Sequence, residues 1–254
     1  MEHRELVDKL ASVGKSKPSQ SAVEFVVNSI KQLIIGGDLL PGDLLPSENE
    51  MTKLLSVSRG SLREAKKVLS MLGVVEIRRG DGTYITDSSD SAALDSLLMS
   101  FALSRPSLKE IYDLRQIIER GVLQMAIANA TEQQIGDLER CLREMETTDT
   151  AGGADAGRMG ELDVQFHCML GRLTRNRLVE KIYSYVMQYL AATIVESHRS
   201  QGGSANALAS HSLIVDVLKT RDSTRIEEVT RMTVDTWFHL IAGRYAPGSD
   251  KEGP

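Results

Sequence analysis

Aromatic residues are scarce in this chain, at 4% of 254 positions and with a single tryptophan. A core must therefore come from Leu, Ile, Val, Met and Ala, a set weighted towards good helix formers. Cysteine is nearly absent too. Cys141 and Cys168 are too few and too far apart for a disulfide framework or a zinc ribbon, and both read as reduced, part-buried thiols. No apolar run approaches the roughly 18 residues that span a bilayer. The first residues, Met1 to Lys9, lack the apolar stretch of a signal peptide, so a cytoplasmic protein with no membrane partner is expected. An excess of positive charge is also missing: 30 Lys/Arg face 35 Asp/Glu, a formal net charge of −5.

That charge is unevenly spread. Residues 1–86 hold 12 Lys/Arg against 11 Asp/Glu, whereas residues 87–254 hold 18 against 24. Within 53–79 there are seven basic residues, opposed only by Glu64 and Glu76. A basic island in an acidic chain is what local contact with nucleic-acid phosphates requires. It predicts different work for the two halves.

The island sits in a recognisable order of elements. Residues 1–20 read as a polar tail, with a short helix at 4–12 allowed. Ser21 with Glu24 forms a capping box ahead of Val23, Val26, Val27, Ile30, Leu33 and Ile34 at helical spacing. Pro41, Gly42 and Pro46 rule out a helix interior and predict an extended segment leading to a second capping box, Ser47 with Glu50. That helix is expected to end near Leu55. The next should run from about Ser58 to Leu72, burying Leu62, Ala65, Leu69 and Leu72 and exposing Arg59, Arg63, Lys66 and Lys67. Val74 to Thr86 reads as a β-hairpin around Gly80-Asp81-Gly82. Helix, helix, recognition helix and hairpin make a winged helix-turn-helix, whose third helix lies in a DNA major groove.

Residues 87–91 read as a linker. Everything periodic from 92 to 245 is helical: 92–104, a helix capped by Ser107 with Glu110, another capped by Thr131 with Gln134, then 158–174, 176–198, 206–220 and 223–245 with Asp222 as N-cap. Thr147–Gly157 reads as a loop and 246–254 as a disordered tail. The expected fold is mainly α: an N-terminal winged helix-turn-helix over 21–86 and an all-α antiparallel bundle of six to seven helices over 92–245.

The residues carry a family resemblance. Gly-x-Leu-x-Pro-Gly-Asp-x-Leu-Pro-Ser-Glu at Gly37–Glu48, Val-Ser-Arg at Val57–Arg59, Leu-Arg-Glu-Ala at Leu62–Ala65 and the glycine-rich wing at Gly80–Ile85 resemble the GntR family of bacterial transcriptional regulators. Leu114-Arg115 with Glu119, Asp163 to His167, Asn176 and the spacing from His211 to Asp222 resemble its FadR-like subgroup, which carries an FCD effector domain. The resemblance covers about residues 21–240. It implies a homodimeric, sequence-specific regulator of double-stranded DNA, a repressor rather than an enzyme, controlled by a small organic or sugar acid.

It also implies site residues. Ser47, Asn49, Ser58, Arg59, Ser61, Arg63, Lys67, Arg79 and Gly80 would meet DNA. Asn49 stands where the family usually has arginine, and Gly60 removes a side chain near the bases. Asp163 and His167, four apart on one helix face, would join His211 around a divalent Zn, Ni or Mn ion. The fourth family histidine falls on Thr233, a poor ligand. Asp235 and His239 lie about 160° and 120° around the helix from it, at about 100° per residue. A buried hydrogen-bonded cluster without metal is the alternative.

Arg115 and Asn176 would hold the effector. Arg115 pairs either with a ligand carboxylate or with Glu119 one turn on, and Asn176 either bonds the ligand or caps its own helix. His3, His198, His239 and Trp237 receive no assignment. A metal-dependent hydrolase, the rival reading, lacks a carboxylate or histidine that stands out as general base.

Overall fold

The computed structural model describes residues 7–11, 21–87, 92–150 and 155–243. By packing they divide into two units, Met1–Leu97 and Leu98–Pro254. The expected tail at 246–254 lies outside the described residues, as do residues 88–91 of the expected linker and most of 1–20.

In the first unit a short helical stretch at 7–11 (α1) precedes α2 (Ala22–Ile35), α3 (Glu48–Leu54) and α4 (Arg59–Met71). Both expected capping boxes form: Ser21 and Ser47 accept from the Glu24 and Glu50 amides, and the glutamates reach back to the capping residues' own N–H groups. Each box satisfies two backbone donors that helix geometry would otherwise orphan. Ser58 caps α4 through the Ser61 amide, and Leu62, Ala65 and Leu69 of α4 are buried. Leu72 is only half-buried, because it is the residue on which the helix ends.

The wing follows as β1 (Val75–Arg78) and β2 (Gly82–Ile85), antiparallel with Val75 opposite Ile85 and Arg78 opposite Gly82. Gly80 turns the hairpin at φ 78°, a left-handed conformation that glycine adopts without steric cost. The extended segment before α3 docks on β2. Leu45 N–H bonds the Thr83 carbonyl, Ile85 N–H bonds that of Asp43, and Leu44 bridges Tyr84. An added Cβ at Gly82 would lie 2.4 Å from Leu44 Cδ1, the end of an exposed side chain that would have to swing aside.

Every regular element of the second unit among the described residues is helical. From α5 (Ala92–Ser104), within which the division falls, the chain passes through α6 (Leu108–Asn129), α7 (Glu132–Thr150), α8 (Ala156–Leu173), α9 (Arg177–Arg199), α10 (Gly203–Thr220), a single 3-10 turn at Ser223–Arg225 and α11 (Ile226–Ala242). Asp222 caps the 3-10 turn by accepting from the Thr224 amide. Its core is aliphatic, as the scarcity of aromatics requires, with Phe166, Tyr183 and Trp237 as its large rings. The expected loop at 147–157 is helical at both ends, over 147–150 and 156–157, and its residues 151–154 lie outside the described residues. Thr147 and Thr148 donate their hydroxyls to the Glu144 carbonyl, and α7 continues through Thr150.

Candidate nucleic-acid interface and metal centre

On the first unit, Asn49, Ser58, Arg59, Gly60, Arg63, Lys67, Arg79 and Gly80 are exposed, Ser61 is half-buried, and Ser47 sits at the N-cap of α3. Capping occupies Ser47 and Ser58, while Arg59 and Lys67 stand outward on α4. Lys66 departs from expectation. It is half-buried, its Nζ lying 3.2 Å from Glu48 Oε1, and Arg63 Nε reaches Glu48 Oε2 at 2.9 Å. Glu48, at the start of α3, thus holds two cations of α4, and these hold its carboxyl below the ordinary range, the Arg63 hydrogen bond most strongly. Arg78 stacks over the Tyr84 ring at 4.4 Å and pairs with Glu76, which leaves Arg79 beside Gly80 at the hairpin tip.

In the second unit, α6, α8, α9, α10 and α11 converge on a buried polar centre. Asp163 and His167 share one face of α8, and α10 brings His211 to them. One donor atom from each lies within 4.8 Å of the others, and all three residues are buried. His167 Nε2 is 3.5 Å from Asp163 Oδ1 and 3.4 Å from His211 Nε2. Burial pushes the His211 imidazole down to about 3, against the attraction of Asp163, so it is neutral near pH 7. Burial works against the Asp163 anion as well. The histidines around it outweigh burial, and the carboxyl is held below its ordinary range.

The tautomer of His167 follows from its surroundings. Tyr183 donates its hydroxyl to Glu119 Oε2 at 2.7 Å, and His167 Nδ1 lies 2.7 Å from the same hydroxyl oxygen. The hydroxyl proton is committed to the carboxylate, so Nδ1 carries the imidazole proton and Nε2 presents a lone pair to the centre. Arg115 Nη2, which can only donate, lies 3.5 Å from that Nε2.

A divalent ion fits this donor set. Two imidazole nitrogens 3.4 Å apart lie with a carboxylate oxygen within 4.8 Å of one another, and Asp163 Oδ1 and His211 Nδ1 are buried without a hydrogen-bond partner. Such orphans cost about 1–3 kcal/mol each. A cation ligated through Asp163 Oδ1 would satisfy that oxygen. Thr233 does not replace the missing histidine, since its hydroxyl is spent on the Val229 carbonyl. Asp235 accepts from Tyr112 and Gln116, and His239 is exposed, so both stay outside the centre as their helical phase requires.

Arg115, Asp163, His211, Thr233 and Trp237 line a cavity of about 20 Å³ beside the centre. The Arg115 guanidinium lies 4.7 Å from the Trp237 ring centroid, its Nε is 3.4 Å from Glu119, and its Nη1 is buried without a partner. The Glu119 pairing therefore holds, yet one edge of the cation stays free. Asn176 is placed elsewhere. It caps α9, accepting from the Leu178 and Val179 amides, and is not on the cavity wall.

Comparison with known proteins gives this arrangement its context. Residues 22–85 match the sequence profile of the bacterial regulatory proteins, gntR family, and residues 110–236 match that of the FCD domain. The chain belongs to the GntR family of transcriptional regulators, in the group that carries an FCD domain. Among curated relatives, this regulator is 29% identical to the HTH-type transcriptional regulator LutR of Bacillus subtilis over 66% of its own length and 74% of that protein. It is 23% identical to the galactonate operon transcriptional repressor of Escherichia coli over 80% and 89% of the two chains. A solved GntR structure from Streptococcus agalactiae shares the fold, with a TM-score of 0.60 at 22% identity over 85% and 99% of the two chains. The family and these relatives are transcriptional regulators, not enzymes, which removes the hydrolase reading.

Sequence reading missed Tyr183 and His198 in the regulator's buried centre and gave Glu119 only as the partner of Arg115. Glu119 and Tyr183 come from α6 and α9 to fix His167. His198, at the end of α9, places Nε2 at 3.1 Å from Asp163 Oδ2 and Nδ1 at 3.1 Å from the Ser204 hydroxyl. A histidine in the last turn of a helix reads as an ordinary complement to the helix dipole. Only tertiary packing separates it from that class.

Proposed function

We propose that this regulator binds operator DNA as a homodimer through the 21–86 head and represses transcription. A small carboxylate bound in the 92–245 bundle controls it. The α3–α4 pair and the wing supply the DNA surface: Ser47, Asn49, Ser58, Arg59, Ser61, Arg63, Lys67, Arg79 and Gly80 all lie on or beside those elements. Base contacts from Arg59 and Arg63 would specify sequence, and the cations around them would position the phosphates.

The observation that carries the effector reading is the buried Arg115, with one free guanidinium edge in the same cavity as Asp163 and His211. A buried cation with an unsatisfied donor calls for an anion, and a planar carboxylate matches the guanidinium fork. When bound to Asp163, His167 and His211, a divalent Zn, Ni or Mn ion would supply a second positive centre beside it. Similarity to a repressor of a galactonate operon supports a sugar acid as the ligand class. The cavity, at about 20 Å³, takes little more than one water. An acid with a carbon skeleton must displace part of its wall, so effector binding favours a different arrangement of the bundle. That difference in affinity between two arrangements is what lets a ligand regulate.

The test is a thermal-shift series with small organic and sugar acids, with and without chelator, followed by operator binding with each acid that shifts the protein. The expected result is a chelator-sensitive shift and weakened operator binding. Equal affinity for operator and random DNA, indifferent to every acid, overturns the proposal in favour of a non-specific DNA binder.

A further inference from the structure

Asp163 is the only carboxylate among the three clustered candidate ligands. Its Oδ1 points towards His167 Nε2 and has no hydrogen-bond partner. Its Oδ2 faces His198 Nε2 at 3.1 Å. The His198 side chain is fully buried, and its other ring nitrogen lies 3.1 Å from Ser204 Oγ. A neutral imidazole has one N–H. A carboxylate can only accept, whereas a serine hydroxyl can donate. One arrangement satisfies both contacts: Nε2–H donates to Asp163 Oδ2, and the Ser204 hydroxyl donates to Nδ1.

The backbone that places Ser204 is unusually constrained. Gly202 turns the chain at φ 75°, and an added Cβ at Gly203 would lie 2.0 Å from the Ser197 carbonyl oxygen. The start of α10 is therefore packed directly on the end of α9, and both residues of the His198–Ser204 pair belong to that junction. With both ring nitrogens engaged, His198 has no lone pair left for the centre.

We propose that His198 is a positioning residue: anchored by Ser204, it holds Asp163 through Oδ2 so that Oδ1 is aimed at a divalent ion shared with His167 and His211. This rests on the metal reading given above. Outer hydrogen bonds of this kind fix the orientation of a ligating group, and their removal typically costs about 10–100-fold in metal affinity. Here the donor is a histidine and the ligand a carboxylate, the reverse of the usual carboxylate-on-histidine pairing.

The experiment measures Zn²⁺ and Co²⁺ affinity of the full chain by chelator competition, with the visible spectrum of the Co²⁺ form and the melting curve of each metal-free variant recorded alongside. His198→Ala is expected to lose about 10–100-fold in affinity. His198→Gln, whose amide can donate from nearly the same place as Nε2, is expected to recover most of it with an unaltered Co²⁺ spectrum. Ser204→Ala keeps the imidazole but frees its ring, and is expected to show a smaller loss in the same direction. It also keeps the test decisive if His198→Ala fails to fold. A His198→Gln protein as weak as His198→Ala, with a changed Co²⁺ spectrum, would show that His198 is itself a ligand and overturn the proposal. Unchanged affinity in His198→Ala overturns it while leaving the metal reading intact. If the unaltered protein takes up neither ion, the metal reading fails and this proposal falls with it.

Discussion

The Tyr183 hydroxyl lies 2.7 Å from His167 Nδ1, and this one contact sets which nitrogen of His167 faces the buried centre. Tyr183 is wholly buried, and burial first, then Glu119, raise its phenol well above the ordinary value. It stays protonated at any accessible pH and serves as a fixed relay between Glu119 and His167. Tyr183→Phe should keep the packing and delete the relay. Two buried groups then lose a partner, which costs about 1–3 kcal/mol each when left unsatisfied. Metal affinity should fall with it, within about 10–100-fold. Chemical denaturation and chelator competition measure the two effects. Unchanged metal affinity would show that His167 needs no help to face the centre.

Arg63 is tied to Glu48 in the free protein, so DNA must compete for it. Arg63→Ala should cost about 1–3 kcal/mol of operator affinity if the guanidinium makes a bidentate base contact. An equal loss on random DNA would identify a phosphate contact instead. Glu48→Gln removes a negative charge from the DNA-facing surface and releases both Arg63 and Lys66. It should tighten binding to random DNA more than to operator and steepen the salt dependence. Titrations at several salt concentrations decide this.

Much of the architecture was legible because its signals are local. The boxes at Ser21/Glu24, Ser47/Glu50 and Ser107/Glu110 act over three residues, and each forms where the sequence places it. Asp163 and His167 were legible as a pair for the same reason, being one helical turn apart. Glu119 was legible as the partner of Arg115 one turn earlier, but its bond to Tyr183 was not, and Tyr183 and His198 reach the centre from α9 at separations that no helical period encodes. Lys66 was misjudged on similar grounds. Its spacing puts it among exposed cations, and only the docking of α3 on α4 brings Glu48 to it. The end of α7 failed differently, since Thr147 and Thr148 are weak helix formers whose hydroxyls here bond back into the helix.

Gly60 is a residue the fold does not require. It lies in the first turn of α4, and an added Cβ would meet only Ser58 Oγ, at 3.7 Å, an ordinary contact. Glycine in a helix costs roughly 0.5–1 kcal/mol relative to alanine. Gly60→Ala should therefore raise the stability of the metal-free, DNA-free protein by up to that amount. Operator affinity should fall if the absent side chain lets the backbone approach the bases closely. A variant that is more stable and binds operator equally well would show that DNA makes no use of the glycine.

Two glycines of the bundle make a contrasting pair. At Gly203 an added Cβ would meet a main-chain carbonyl oxygen at 2.0 Å, which no side-chain rotation can relieve. The junction of α9 and α10 must then open. Overpacking of this kind costs about 1–3 kcal/mol, sometimes more. Gly121, within α6, has nothing within 4 Å of the same position. Gly121→Ala should stabilise the monomer by roughly 0.5–1 kcal/mol through helix propensity alone. Because Leu114 and Ile117 of the same helix are exposed, it also probes the proposed homodimer. If that face is the dimer contact, the added methyl should change the dimer dissociation constant in sedimentation, while Gly203→Ala should chiefly lower the melting temperature. Opposite signs of the two stability changes are the expected outcome, and a Gly203→Ala protein as stable as the parent would contradict the close approach of the two helices.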